Sequence, residues 1–288
     1  MALAVTMLHP LFAGTVTGVD LRVPVDPHTF REIAAALERY AVLIFPEQHV
    51  TDAQQIAFSG LFGPLEIVLG SNRQDRAFRL SDRRLADVSN LDDKNEIRSA
   101  SDPWHRFQQA NELWHTDGSF KRVPAKISIL SARELPPSGG ETEFADVRSA
   151  YDELDVATKE RVEDLVAEHS VLHSRSLVGY SEFIAQERAA LPPVTHPIVR
   201  LHSGSRRKAL YLGSHASHII GLPVEQGREL LRRLIGFATQ PRFVYRHHWR
   251  LADLVVWDNR CTLHRGRPYD QASHRRDMRR ATVAGTGP

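Results

Sequence analysis

The spacing of apolar residues along this chain changes type several times. From Pro27 to Tyr40, Phe30, Ile33, Ala34 and Leu37 recur every three or four positions, the pattern of an amphipathic helix. Asp26 is placed to cap it, with Pro27 at the first helical position. The run AVLIF at 41–45 predicts a buried strand, and Thr51 and Asp52 cap a second helix running to about Leu61. Between 70 and 110 the chain is polar and nearly aperiodic, which predicts weak strands around Ala86 to Ser89 and a mobile loop across 93–110. Strands are expected at Leu113 to Phe120 and Lys126 to Leu135, and helices over 146–168 with a break near Leu154.

Further on, His196 to His202 and Lys208 to Gly213 flank a hairpin turn at Ser203–Gly204–Ser205–Arg206. Val224 to Ala238 sets Leu230, Leu231, Leu234 and Phe237 on one helix face. Three closing strands follow, at Arg242 to His247, Leu254 to Trp257 and Arg275 to Val283. Many short strands with helical insertions predict a mainly β fold, a double-stranded β-helix or jelly roll, in one domain over 1–288.

Composition narrows the function classes. Apolar residues make up 42%, enough for a core and too many for a disordered chain. The 37 basic and 35 acidic side chains leave a formal charge of +2, too small a field to predict a nucleic-acid or membrane partner. Cys261 is the lone cysteine, so neither an intramolecular disulfide nor a thiolate zinc site is expected, and a reducing cytoplasm fits. The opening MALAVTMLHPLF lacks a basic segment followed by a proper apolar run, so a signal peptide is not expected.

The chemistry concentrates in two places. In LWHTDGSF, strand alternation turns His115 and Asp117 to the same side, where a histidine and a carboxylate can take adjacent corners of one metal. A third ligand is available in His264, which follows the strand LVVWDN. Two histidines and one carboxylate leave positions open, as non-haem iron(II) requires for a chelating cosubstrate and O₂. Alone, H-x-D is a weak motif in a chain with 15 histidines. The strand RRDMRRATV adds to it: alternation puts Arg276, Met278, Arg280 and Thr282 on one face and Arg275, Asp277 and Arg279 on the other. Two arginines around an apolar residue suit a carboxylate pocket, because the planar guanidinium donates two parallel hydrogen bonds. The face of alternating charge reads as solvated; the bland reading of the whole strand is a basic, aggregation-resistant edge.

Beyond these spacings, the stretches LHPLFAG, QQIAFSGLFGPLE, LWHTDGSF, PPSGGETEFADVRSAYDEL, GSHASHIIGLPVEQGRELL, FVYRHHW, VVWDNRCTLHRGRPYD and RRDMRRATV occur in order over nearly the whole chain. They resemble the taurine dioxygenase family of iron(II)- and 2-oxoglutarate-dependent dioxygenases, and most its 2,4-dichlorophenoxyacetate branch. The resemblance implies a jelly roll, Fe(II), 2-oxoglutarate and O₂ as cosubstrates, and stimulation by ascorbate. It implies His115, Asp117 and His264 as metal ligands, and Thr142 and Arg276 at the distal carboxylate of 2-oxoglutarate. Arg280 falls near the cosubstrate C1 carboxylate and the substrate's acid group, and Asn111 at the substrate. Ser71 stands where the phenoxyacetate branch carries a lysine. His215 and His218, in GSHASH, line the pocket or serve the structure; Trp114 is expected beside the iron site and Trp257 in the core.

The implied reaction hydroxylates a small organic acid. An aryloxyacetate such as 2,4-dichlorophenoxyacetate would give a phenol, glyoxylate, succinate and CO₂, in a possible homo-oligomer. The alternatives are an alkylsulfonate (taurine-type) or other aryl-acid dioxygenase, a zinc or manganese jelly-roll hydrolase or isomerase, and a non-catalytic metal-binding jelly-roll module. A nucleic-acid binder using the C-terminal arginines is opposed by the near-neutral charge and the lack of an aromatic stacking motif.

Overall fold

The computed structural model describes residues 3–68 and 78–286. Its strands are, in chain order, β1 (Ala4–Met7), β2 (Gly14–Thr17), β3 (Val42–Phe45), β4 (Leu85–Asp87), β5 (Ala125–Glu134), β6 (Thr142–Asp146), β7 (Val166–His169), β8 (Val194–Pro197), β9 (Val199–Leu201), β10 (Lys208–Leu210), β11 (Ala216–Ile219), β12 (Val244–His247), β13 (Leu254–Asp258), β14 (Thr262–Gly266) and β15 (Asp277–Ala284). The helices are α1 (Pro27–Tyr40), α2 (Asp52–Gly60), α3 (Pro103–Gln109), α4 (Val147–Asp152), α5 (Val156–Val162), α6 (Val171–Ser176), α7 (Ala185–Ala190) and α8 (Val224–Ala238). The fold is mainly β with helices around it.

One sheet runs β1-β2-β3-β13-β5-β15-β4, and a second runs β12-β6-β14. Alternation gives the larger sheet two apolar faces. On one, Leu43, Phe45, Ile129, Leu254, Val256, Ala281 and Val283 pack on Ile33 and Leu37 of α1 and Ile56 and Phe58 of α2. On the other, Val42, Ile44, Leu130, Val255, Trp257 and Met278 meet Phe144 of the second sheet. The space between the two sheets is where the candidate site sits. Arg148 of α4, fully buried, ties this region to α1: its Nε donates to Asp146 Oδ1 (2.9 Å) and its Nη1 to the Glu38 carbonyl (2.9 Å) in the last turn of that helix.

The local signals for α1, α2 and α8 hold. Asp26 accepts from the His28 and Thr29 amides, and α1 stops where Ala41 turns left-handed at φ 59°. Thr51 and Gln54 form a reciprocal capping box on α2. Four expectations are corrected. The helical stretch expected to 168 stops at Val162, and Val166–His169 become a strand between β8 and β11, with Ala167 and His169 turned inward. The loop expected across 93–110 contains α3, started by Asp102 accepting from the Trp104 amide with Pro103 at the first position. Leu113 to Phe120 is not a strand: His115 alone makes a bridge, to His264, and Gly118 at φ 67° turns the chain. The charged face of β15 is not solvated, because Arg279 pairs with Asp52 of α2 and Asp277 with Arg79. Among the described residues no helix is long and apolar enough to cross a membrane.

Candidate functional site

His115, Asp117 and His264 converge between the sheets, and all three are buried. Strand alternation does not bring them together as expected. His115 and His264 exchange backbone hydrogen bonds (His115 N–H to His264 O, 3.0 Å; His264 N–H to His115 O, 2.8 Å), so one ligand position locks the other. The turn at Gly118 then aims Asp117 back at the pair. His115 Nε2 lies 4.0 Å from Asp117 Oδ1, and His264 Nε2 lies 3.6 Å from Asp117 Oδ2. The Leu113 carbonyl accepts from His115 Nδ1 at 2.7 Å, which leaves the Nε2 lone pair facing the carboxylate.

Burial lowers the pKa of both imidazoles, with the neighbouring His115 adding to the effect on His264, so both stay neutral. Burial alone would raise the Asp117 carboxyl, but its neighbours, the Arg280 guanidinium first, outweigh it and hold it well below the usual carboxylate range. Arg280 Nη1 donates to Asp117 Oδ1 at 2.6 Å and Ser128 Oγ to Oδ2 at 2.7 Å. Two neutral imidazoles and one anion fit a divalent cation, since pairs of bonds of about 2.1 Å span separations of this size. A second buried group, His202, Asp258 and Cys261, fits one poorly. Arg260 already binds Asp258, and burial pushes the Cys261 thiol well up, away from the thiolate that a metal needs.

Two cavities meet at His115 and Arg280. The smaller, about 100 Å³, is lined by Thr142, Arg276, His264 and Trp257. Arg276 is buried, and burial pushes its guanidinium pKa down. Its Nη2 donates to the Gly140 carbonyl (3.2 Å), while Nε finds no partner among the described residues. Thr142 Oγ1 accepts from Trp249 Nε1 (3.0 Å), which leaves its own hydroxyl proton free to donate. The larger cavity, about 590 Å³, is within the about 300–1,000 Å³ range of small-molecule sites. Asp117, Asn111, Arg175 and His215 line it together with the rings of Trp104, Phe107, Phe120, Tyr180 and Phe183.

The face reading of β15 placed Arg276, Arg280 and Thr282 correctly, since all three line these cavities. Asn111 lines both. Ser71 lies outside the described residues. His215 reaches the large cavity, its ring 4.9 Å from Phe120, whereas His218 does not line it and sits 3.7 Å from Glu168. Trp257 lies in the core as expected, with its ring 4.8 Å from that of His264. The expectation for Trp114 is corrected: it packs against the core cluster of α4 and α8 under Arg265. Sequence reasoning missed Asn259, Ser128 and Arg175. Asn259 accepts from the Asp117 amide (3.2 Å) and Trp257 Nε1 (3.0 Å) and donates to Ser128 Oγ (2.9 Å). Nothing in its local pattern marked it except its place in the turn after β13.

Known proteins bear on this arrangement. The family model described as "Taurine catabolism dioxygenase TauD, TfdA family" matches residues 4–282. An alpha-ketoglutarate-dependent 2,4-dichlorophenoxyacetate dioxygenase of Cupriavidus pinatubonensis is 48% identical over 286 residues, 98% of each chain. An (S)-phenoxypropionate/alpha-ketoglutarate-dioxygenase of Sphingobium herbicidovorans is 37% identical, covering 99% of this chain and 96% of its own. A crystal structure of AAD-2 in complex with Mn(II) and N-oxalylglycine superposes with a TM-score of 0.96 at 49% identity, covering 100% of this chain and 99% of that one. The chain therefore belongs to the TauD, TfdA family of dioxygenases, with 2,4-dichlorophenoxyacetate dioxygenases among its relatives, as its motifs suggested.

Proposed function

We propose that the protein is an iron(II)- and 2-oxoglutarate-dependent dioxygenase that hydroxylates an aryloxyacetate such as 2,4-dichlorophenoxyacetate. The observation that carries this is the meeting of two unlike cavities at one His-Asp-His group: a small one with a buried arginine and a hydroxyl, and a large one walled by aromatic rings. In this reading the chain is one jelly-roll domain, the larger sheet and β12-β6-β14 forming its two walls around the site.

His115, Asp117 and His264 would hold the metal. Iron(II), 2-oxoglutarate and O₂ together supply the oxidant that hydroxylates a C–H bond, with succinate and CO₂ as coproducts. Arg276 and Thr142 receive the distal carboxylate of the cosubstrate, a planar fork and a single hydroxyl proton. Arg280, already on Asp117, brings positive charge to the end where the cosubstrate's C1 carboxylate would lie. Asn111 and the aromatic wall hold the substrate, exclude water and fix which carbon faces the metal, so position selects the hydroxylated carbon. Hydroxylation beside the ether oxygen yields a hemiacetal, whose collapse releases a phenol and glyoxylate.

The aromatic wall favours an aryl acid over taurine, because a short aliphatic sulfonate would leave most of that apolar surface wet. A panel of aryloxyacetates, arylacetates and alkylsulfonates, scored for succinate and phenol together, tests the reading. More efficient turnover of taurine than of every aryloxyacetate would refute the substrate and leave the dioxygenase class standing.

A further inference from the structure

Arg175 is a buried cation with no ion pair among the described residues. It stands on the short helix α6, with 8% of its surface exposed, on the wall of the large cavity. Most other cations on that wall are matched: Arg79 by Asp87 and Asp277, Arg84 by Asp82, Arg98 by Asp102, Lys121 by Glu66 and Arg280 by Asp117, while the half-buried Arg83 donates to the Leu80 carbonyl. Among the described residues no carboxylate pairs with Arg175. Its Nη2 donates one long hydrogen bond to Asn111 Oδ1 at 3.4 Å, and its Nε has no partner among the described residues. Folding does not leave a guanidinium dry and unpaired without cost, so such a group points to a ligand that completes it.

Its surroundings say what kind. The guanidinium carbon lies 4.3 Å from the centre of the Phe107 ring. Trp104 stacks on Phe107 at 5.0 Å, and Tyr180 meets the same ring edge-on at 5.3 Å. His115, Asp117 and His215 line the same cavity. A flat apolar wall, a forked cation and the metal-ligand group thus share one space.

We infer that Arg175 binds the carboxylate of the primary substrate, with the aryl ring against Phe107 and its neighbours. This rests on the substrate reading above and adds one part to it: Arg175 joins Arg280 on the wall of the large cavity at the substrate's anionic end. The two acids of the reaction are then sorted by two buried arginines in two cavities, Arg276 in the small one for the cosubstrate and Arg175 in the large one for the substrate. The planar fork suits a carboxylate, and the neutral amide of the same substrate would lose the charge-assisted pair.

The test compares wild type, Arg175→Gln and Arg175→Lys with 2,4-dichlorophenoxyacetate and with its primary amide, alongside the Kd of 2-oxoglutarate on the metal-loaded protein. Arg175→Gln should raise KM for the acid roughly 30-fold or more, the usual loss for an unmatched buried ion. It should also bring the acid-to-amide preference near unity while the 2-oxoglutarate Kd stays within threefold. Arg175→Lys should recover part of the KM. A KM for the acid within threefold of wild type in Arg175→Gln overturns the inference and leaves the substrate reading intact. Failure of the wild type on every aryloxyacetate overturns both. If Arg175→Gln does not fold, a crystal structure of the wild type with Mn(II), N-oxalylglycine and the acid decides. A carboxylate within about 3.2 Å of the Arg175 guanidinium supports the inference, and a carboxylate seated on another cation alone overturns it.

Discussion

Replacing Arg276 with alanine should weaken 2-oxoglutarate binding and leave the primary substrate little affected. The guanidinium is 9% exposed and spends one hydrogen bond, 3.2 Å long, on the Gly140 carbonyl. Its remaining donors have to meet the cosubstrate's distal carboxylate or stay unsatisfied. Truncating one partner of such a buried, charge-assisted pair costs about 2–5 kcal/mol. At about 1.4 kcal/mol per decade, that is roughly a 30- to 4,000-fold rise in Kd. Thr142→Ala removes one neutral hydroxyl and the acceptor of Trp249, so about 0.5–1.5 kcal/mol is expected, or roughly 2- to 12-fold. Anaerobic calorimetric titration of 2-oxoglutarate into Mn(II)-loaded protein measures both, with thermal melts as the control for folding. A Kd within threefold of wild type for Arg276→Ala would show that Arg276 does not hold the cosubstrate, and an effect of Thr142→Ala larger than that of Arg276→Ala would overturn the ranking of the two groups.

We predict three further outcomes. His115→Ala, Asp117→Ala and His264→Ala should each lose Mn(II) binding by calorimetry and succinate formation with iron, because three ligands leave no redundancy; near-normal metal affinity in Asp117→Ala would remove it from the set. Arg148→Ala should lower stability by about 3–5 kcal/mol, since it removes the buried partner of Asp146 and leaves only Arg207 at 3.9 Å, and a urea-unfolding change under about 1 kcal/mol would contradict the buried-pair argument. His169 is held neutral, chiefly by burial and then by the charges of His196 and Arg200, which push its pKa from 6.5 to about 3. The unfolded chain therefore binds the extra proton first, so stability is full above about pH 6.5 and falls as pH drops toward 3. His169→Phe should flatten that acid limb between pH 7 and 5, and an unchanged slope would mean that His169 is protonated in the fold.

What local pattern can show was legible in the chain. The caps of α1 and α2 are decided within four residues, and the β15 faces by alternation alone, so Asp26, Thr51, Arg276 and Arg280 were all placed from sequence. The second stretch to mislead, LWHTDGSF, has the alternation of a strand but carries Gly118 at a left-handed φ, and a bridge 149 positions away, not pairing with a neighbour, orients it. Arg175 was invisible for a related reason. On α6 it reads as an ordinary basic residue in a helix's last turn, and only the tertiary fold reveals that Phe107, rather than a carboxylate, lies beneath it. Asn259 follows the same rule, since its partners Asp117 and Ser128 come from segments more than 120 residues earlier.

The reciprocal backbone pairing of His115 and His264 has a consequence for the life of the chain. Two donors on segments so far apart cannot meet until the polypeptide has closed a long loop, whose entropic cost must be met before any contact rewards it. A growing chain on the ribosome therefore has no metal site until residue 264 has emerged, and neither Arg276 nor Arg280 until β15 follows. A chain cut before residue 264 lacks a ligand of the His-Asp-His group, and one cut before residue 276 lacks Arg276 and Arg280. Metal uptake therefore waits on residue 264, and cosubstrate binding waits further, on β15.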